Sequence, residues 1–75
     1  MNDTNEQILY AKKAEHYFNK KQMVHIDTIT DKFYNGEIIK CYADFLILKD
    51  RYIGEVPIYY SEISTIEPYK KEGFI

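Results

Sequence analysis

The chain has 75 residues, of which 45% are apolar, and a formal net charge of −2. That length allows one domain with one core, because a chain of this size buries only roughly 60% of the surface it exposes when unfolded. Cys41 is the single cysteine, so an internal disulfide is excluded. No apolar run approaches the ~20 residues of a membrane span, and the opening MNDTNEQ lacks the basic-then-apolar order of an export signal, so a cytoplasmic location is expected.

The first predicted element is a helix over about residues 5–20. Thr4 begins a Thr-Asn-Glu-Gln capping box, whose hydroxyl and Gln7 side chain can satisfy two free amides of the first turn. Ile8, Ala11, Glu15 and Phe18 fall on one face with Leu9 beside them, a thin apolar stripe predicted to lie over one end of a barrel. Residues 23–29 then change to a two-residue period. Val24, Ile26 and Thr28 share one face of a strand, and His25 and Asp27 share the other.

A short turn over 30–32 leads into a second strand over 33–42. Gly36 inside it marks a sharp bend, a bulge or a close approach of two backbones. Ala43-Asp44 makes a corner, and the wholly apolar run 45–48 reads as a strand covered on both faces. After a turn at 49–51, a fourth strand over 52–59 carries Gly54 and Pro57. Pro57 has no amide hydrogen, so that side of it must face a sheet edge or a bulge. Residues 60–62 read as one tight helical turn, and 63–67 as the last strand, ended by Pro68. Residues 69–75 form a charged tail whose closing Phe74-Ile75 must dock or stay wet. The predicted fold is mainly β with an N-terminal α-helix: a five-stranded, strongly bent antiparallel barrel over about 23–68, in a single domain spanning 1–68.

The charge is unevenly divided. Residues 1–23 balance to +1, while residues 24–68 set four cations against eight carboxylates, a balance of −4. Phosphate neutralisation supplies most non-specific affinity for nucleic acid, so any such role must rest on a local site. His16 and His25 have no Cys or second His at ligand spacing, which argues against a metal site. Cys41 has no basic neighbour to activate it and reads as a small buried hydrophobe. There is no Ser-His-Asp order, phosphate-cradling glycine loop or HExxH, so neither catalysis nor a cofactor is expected. Tyr34, Tyr42, Tyr52, Tyr59 and Tyr60 carry the best functional claim. A tyrosine ring gives a flat stacking face with a polar tip, suited to single-stranded nucleic acid, to protein interfaces, or to capping a small barrel through cross-strand pairs. In a regular strand the adjacent Tyr59 and Tyr60 cannot both face the core.

The helix, the run GEIIKCYADFLILKD and the ending YYSEISTIEP resemble the Sm-like family, and within it the bacterial RNA chaperone Hfq. Gly36 matches that family's bend glycine, Asp44-Phe45 its corner, residues 46–49 its buried strand and residues 63–68 its closing strand, so the resemblance covers about residues 5–68. The sequence departs from the pattern where Hfq has Tyr-Lys-His, the Lys and His of which help bind uridine. Here Tyr59-Tyr60-Ser61 stands there, and the Asn and the Arg-Gly or Lys-Gly of eukaryotic and archaeal members are also missing. The resemblance implies a homo-oligomeric ring of five to seven subunits, joined by pairing the fourth strand of one subunit with the fifth of the next. Val56, Ile58, Tyr59, Ile63 and Thr65 would be at the interface. It also implies single-stranded RNA as partner, held at Asp44, Phe45, Tyr59, Tyr60 and Ser61, with no membrane and no metal. The alternative is a protein-interaction or structural barrel that recruits a partner strand to its edge and meets no RNA.

Overall fold

The structure is a computed structural model and describes residues 5–70. The capping residue Thr4 and the terminal Phe74-Ile75 lie outside the described residues. The elements are α1 (Asn5–Lys20), β1 (Met23–Thr28), β2 (Phe33–Cys41), β3 (Phe45–Asp50), β4 (Gly54–Tyr59), a 3-10 turn (Tyr60–Glu62) and β5 (Ile63–Pro68). Neighbouring strands all pair antiparallel in one sheet of order β4-β3-β2-β1-β5. This is the predicted helix followed by five strands. β4 and β5 are the two sheet edges, so the barrel is bent without being closed by a β4–β5 ladder in the described chain.

The two-residue period of β1 sends Val24, Ile26 and Thr28 inward, as the sequence predicts. Ile38, Leu46, Leu48, Ile58, Ile63 and Ile66 meet them in one core. Each such side chain, once buried, contributes roughly 1.5–3 kcal/mol. β3 departs from expectation: Leu46 and Leu48 are buried, but Phe45 and Ile47 are only half-buried. β3 thus has an inner face in the core and an outer face, on which Phe45 packs against Tyr42 and its cross-strand partner Tyr59.

The helix docks by a different stripe from the one its apolar residues suggest. Ala14 is fully buried and Tyr10, Ala11 and Tyr17 pack against the core, while Ile8, Leu9 and Phe18 are exposed. Spacing of i, i+4 and i+7 puts Tyr10, Ala14 and Tyr17 on one face, and the small Ala14 lets the helix come close. The Tyr10 hydroxyl donates to the Ser64 carbonyl at 2.8 Å and Lys13 Nζ to the Ile66 carbonyl at 3.5 Å, so the docking face is amphipathic and clipped to β5. A hydrophobicity pattern alone undervalues such a face.

Gly36 pairs with Val24 on one side and Asp50 on the other. A Cβ there would lie 1.9 Å from the Lys49 carbonyl oxygen, so the glycine is needed for close backbone approach. The register irregularity of β2 comes later, between Ile38 and Lys40. β3 runs two residues past the predicted run because Asp50 organises the next turn. Its Oδ1 accepts the Asn35 amide at 3.0 Å, and its Oδ2 accepts the Tyr52 and Ile53 amides at 2.8 and 3.2 Å. The turn therefore lies at 51–53, and β4 starts at Gly54, whose φ of 86° suits a residue without a side chain.

Tyr69, at the head of the charged tail, is tied down. Its amide donates to the Met23 carbonyl at 2.9 Å, and the Arg51 guanidinium lies 5.4 Å from its ring and 5.5 Å from that of Tyr52. Pro57 sits mid-way along the β4 edge, opposite Ile47. Two residues on, the Tyr59 amide points away from β3 and donates to the Glu62 carboxylate at 2.9 Å.

Candidate nucleic-acid interface

The corner between β2 and β3 is held at two points. The Tyr42 amide donates to the Phe45 carbonyl at 2.8 Å, closing the hairpin, and the Tyr60 amide donates to the Asp44 carbonyl at 3.1 Å, clipping the corner to the 3-10 turn. This geometry builds a short ladder of rings. Phe45 is the cross-strand partner of Tyr59, with ring centroids 5.1 Å apart, and Tyr42 stacks on Phe45 at 4.7 Å with planes 23° apart. Tyr42 and Tyr59 remain 47% and 49% exposed. The ladder thus has a protected middle ring and two accessible outer ones.

Beside it lies a cleft of about 580 Å³ between α1 and the 3-10 turn. Of the expected site residues, Asp44, Tyr59, Tyr60 and Ser61 line it, and Phe45 stands behind as the middle ring. The helix supplies the opposite wall through Ile8, Ala11, Lys12 and Glu15. Three of those belong to the stripe predicted to lie over one end of the barrel: Ile8 and Glu15 are exposed at the cleft, while Ala11 both lines it and packs against the core. Glu15 is a site residue that sequence reasoning missed, and Tyr42, one of the five candidate tyrosines, was not assigned to the corner site. Tyr42 stands immediately before Ala43-Asp44, a position from which a ring can fold back on the corner, and that was the available signal.

Tyr60 departs from its expected role. It is 4% exposed, its ring belongs to the core, and its hydroxyl donates to the Tyr42 carbonyl at 3.0 Å. In the adjacent pair, Tyr59 is the ring available to a ligand. Burial first, then Cys41, Glu15 and Asp44, push the Tyr60 phenol up to about 12. Burial likewise pushes the Cys41 thiol up, partly offset by the Tyr60 hydroxyl, which agrees with its reading as a packing residue.

The expected interface residues divide by depth. Ile58 and Ile63 are buried in their own core, so their side chains are not available at the sheet edges. Val56 is half-buried, and Tyr59 and Thr65 face outward. On the outer face of β1, His25 lies 2.6 Å from Asn35 Oδ1 and 3.1 Å from Asp27 Oδ1, and the Thr65 hydroxyl donates to Asp27 Oδ2 at 2.9 Å. These side chains bind one another across three strands. Among the described residues no group of three or more His, Cys, Asp or Glu converges as metal ligands, and no helix is long and apolar enough to cross a membrane.

No protein-family model matches the chain, and no curated protein matches it in sequence. Solved structures do match. One is a crystal structure of the pleiotropic translational regulator Hfq, with a TM-score of 0.67 and 19% identity over 77% of this chain and 95% of that one. Another is an Hfq protein from Anabaena sp., with a TM-score of 0.67 and 14% identity over 83% of this chain and 98% of that one. The resemblance read from Gly36, the corner and the closing strand is thereby supported in three dimensions: the chain has the Sm-like fold of the Hfq structures.

Proposed function

We propose that this chain is a ring-forming, non-enzymatic RNA-binding protein of the cytoplasm that holds short single-stranded RNA. The observation that carries the reading is the ladder of Tyr42, Phe45 and Tyr59, with its outer rings exposed at the mouth of a cleft. A base stacks on Tyr59 or Tyr42, the Ser61 hydroxyl reads an edge, and Lys12 faces the phosphate. Each stacked base contributes roughly 1–3 kcal/mol without demanding a particular sequence. The −4 balance of residues 24–68 limits phosphate neutralisation, so affinity is modest, its salt dependence shallow and duplex DNA a poor ligand. Likeness to the structure of a translational regulator supports this reading.

The two uncovered edges, β4 and β5, support assembly. Pairing β4 of one copy with β5 of the next, along the segments that hold Val56, Ile58 and Tyr59 and Ile63 and Thr65, removes both edges and closes a ring of five to seven subunits. Native mass spectrometry tests the ring: one species at five to seven multiples of 9.0 kDa is expected, and a clean monomer at tens of micromolar refutes it. Fluorescence anisotropy with labelled oligo-U and oligo-A at low salt tests the ligand. Flat titrations to high micromolar protein would favour a protein-interaction barrel instead.

A further inference from the structure

The cleft beside the aromatic ladder is rich in hydrogen-bond acceptors. Its charged lining residues are Lys12, Glu15 and Asp44. The ion pair found among the described residues is His25–Asp27, so Lys12 is not paired with either cleft carboxylate. Glu15 and Asp44 are both exposed, and both act on the Tyr60 phenol at the cleft floor, adding to the burial that raises it. Asp44 is also the better placed. Its carbonyl is fixed by the Tyr60 amide at 3.1 Å, and it stands between Tyr42 and Phe45, the two rings stacked at 4.7 Å. Asp44 therefore lines the cleft next to a stacking ring, within reach of the edge of a base that stacks there.

Ionised carboxylates only accept hydrogen bonds, and the two oxygens of one group can take two parallel N–H donors. The bases differ in what they offer along the edge that an unpaired nucleotide exposes. Uracil presents one N–H between two carbonyl oxygens, which a carboxylate repels. Adenine and cytosine present an amine beside a bare ring nitrogen, so one carboxylate oxygen is left facing a lone pair. Guanine alone presents two adjacent donors, N1–H and the 2-amino group. We infer that the cleft selects guanine in single-stranded RNA, with Asp44 accepting both donors of a base stacked on the Tyr42–Phe45–Tyr59 ladder. This deepens the RNA-binding reading above and rests on it. Glu15 contributes field and not contact, because it sits across the cleft on α1.

The test is anisotropy of the full chain with labelled five-nucleotide RNAs, UUUUU and three others in which the middle base is guanine, adenine or hypoxanthine. Expected is about tenfold tighter binding of the guanine oligomer over UUUUU, the scale of one bidentate side chain–base contact. Hypoxanthine, which lacks the 2-amino group, should lose most of that gain. Asp44→Asn should bring the guanine oligomer to within about twofold of UUUUU measured on the same variant, because the amide offers one acceptor and meets guanine with a donor of its own. Equal, measurable affinity for UUUUU and the guanine oligomer would overturn the inference and leave the RNA-binding reading standing. No binding to any oligomer would overturn both. A guanine preference that survives in Asp44→Asn would overturn the role given to Asp44, and the hypoxanthine comparison decides the matter without any variant.

Discussion

The two ends of β3 are put to opposite uses. At the Asp50 end the polar groups are matched within the chain: one carboxylate takes three backbone amides, and the Lys49 carbonyl presses against a glycine that leaves it room. At the Phe45 end the rings of Tyr42 and Tyr59 lie open, and Asp44 and Ser61 line a cleft. One strand six residues long thus joins a pivot that cannot yield to a surface with unused hydrogen-bonding capacity. The rigid end is what holds the open end in shape, since ligand groups are positioned only as well as the backbone beneath them.

The sharpest way to break this contrast is at the pivot. Gly36→Val should destabilise the domain by more than about 4 kcal/mol or unfold it, because the new Cβ would collide with backbone that has nowhere to move. Melts followed by circular dichroism that overlay the wild type would show that the close approach is not needed. Asp50→Ala comes next, at about 1–3 kcal/mol, the penalty for leaving three backbone amides without their shared acceptor. This site also predicts an acid dependence. Burial pushes the Asp50 carboxyl up, but the amides of Tyr52, Asn35 and Ile53, with Arg51 nearby, outweigh it and hold the group below its ordinary 3.8. The unfolded chain then binds the proton first, so the contribution is complete above that value and disappears as pH falls through the lower folded one. Asp50→Asn should flatten the acid limb of a stability–pH profile below about pH 4.

At the open end the effects move from stability to binding. Tyr59→Ala should weaken single-stranded RNA binding by about 1–3 kcal/mol in an anisotropy titration, while lowering stability by at most about 1 kcal/mol through its lost pairing with Phe45. Tyr60→Ala, by contrast, empties part of the core, and its loss of binding would be a loss of fold. The smallest effect belongs to Tyr69→Ala, about 0.5–1 kcal/mol in a urea midpoint from the exposed cation–π contact with Arg51.

Much of the pivot was legible in the sequence because it depends on residue types with few alternatives. A lone glycine in a strand, an apolar run and a proline each restrict the backbone locally, and Gly36, Leu46, Leu48 and Pro57 stand where that reasoning puts them. The open end was less legible because its features depend on which side a ring turns. Tyr59 and Tyr60 are indistinguishable by type, and Tyr60 is held inward by contacts distant in sequence, its amide to the Asp44 carbonyl and its hydroxyl to the Tyr42 carbonyl. The helix misled for a related reason: Ile8 and Phe18 are more apolar than Tyr10 and Tyr17, yet a tyrosine can bury its ring and still place its hydroxyl on a strand carbonyl, as Tyr10 does. Asp50 extended β3 beyond its apolar run by hydrogen bonds to a turn still to come, which no windowed pattern of hydropathy registers.

Pro57 bears on how this protein behaves in a crowded cell. The outward-facing side of β4 lacks an amide hydrogen at its centre, and two residues further on the Tyr59 amide is already taken by Glu62. An approaching strand therefore finds carbonyls without the donors that should alternate with them, and only a strand whose own pattern fits those gaps can align. Unfolded chains and extended peptides are poor matches by that criterion. The exposed border that makes orderly assembly possible is for the same reason a bad seed for fibrils, and concentrated solutions of the folded protein should resist amyloid conversion.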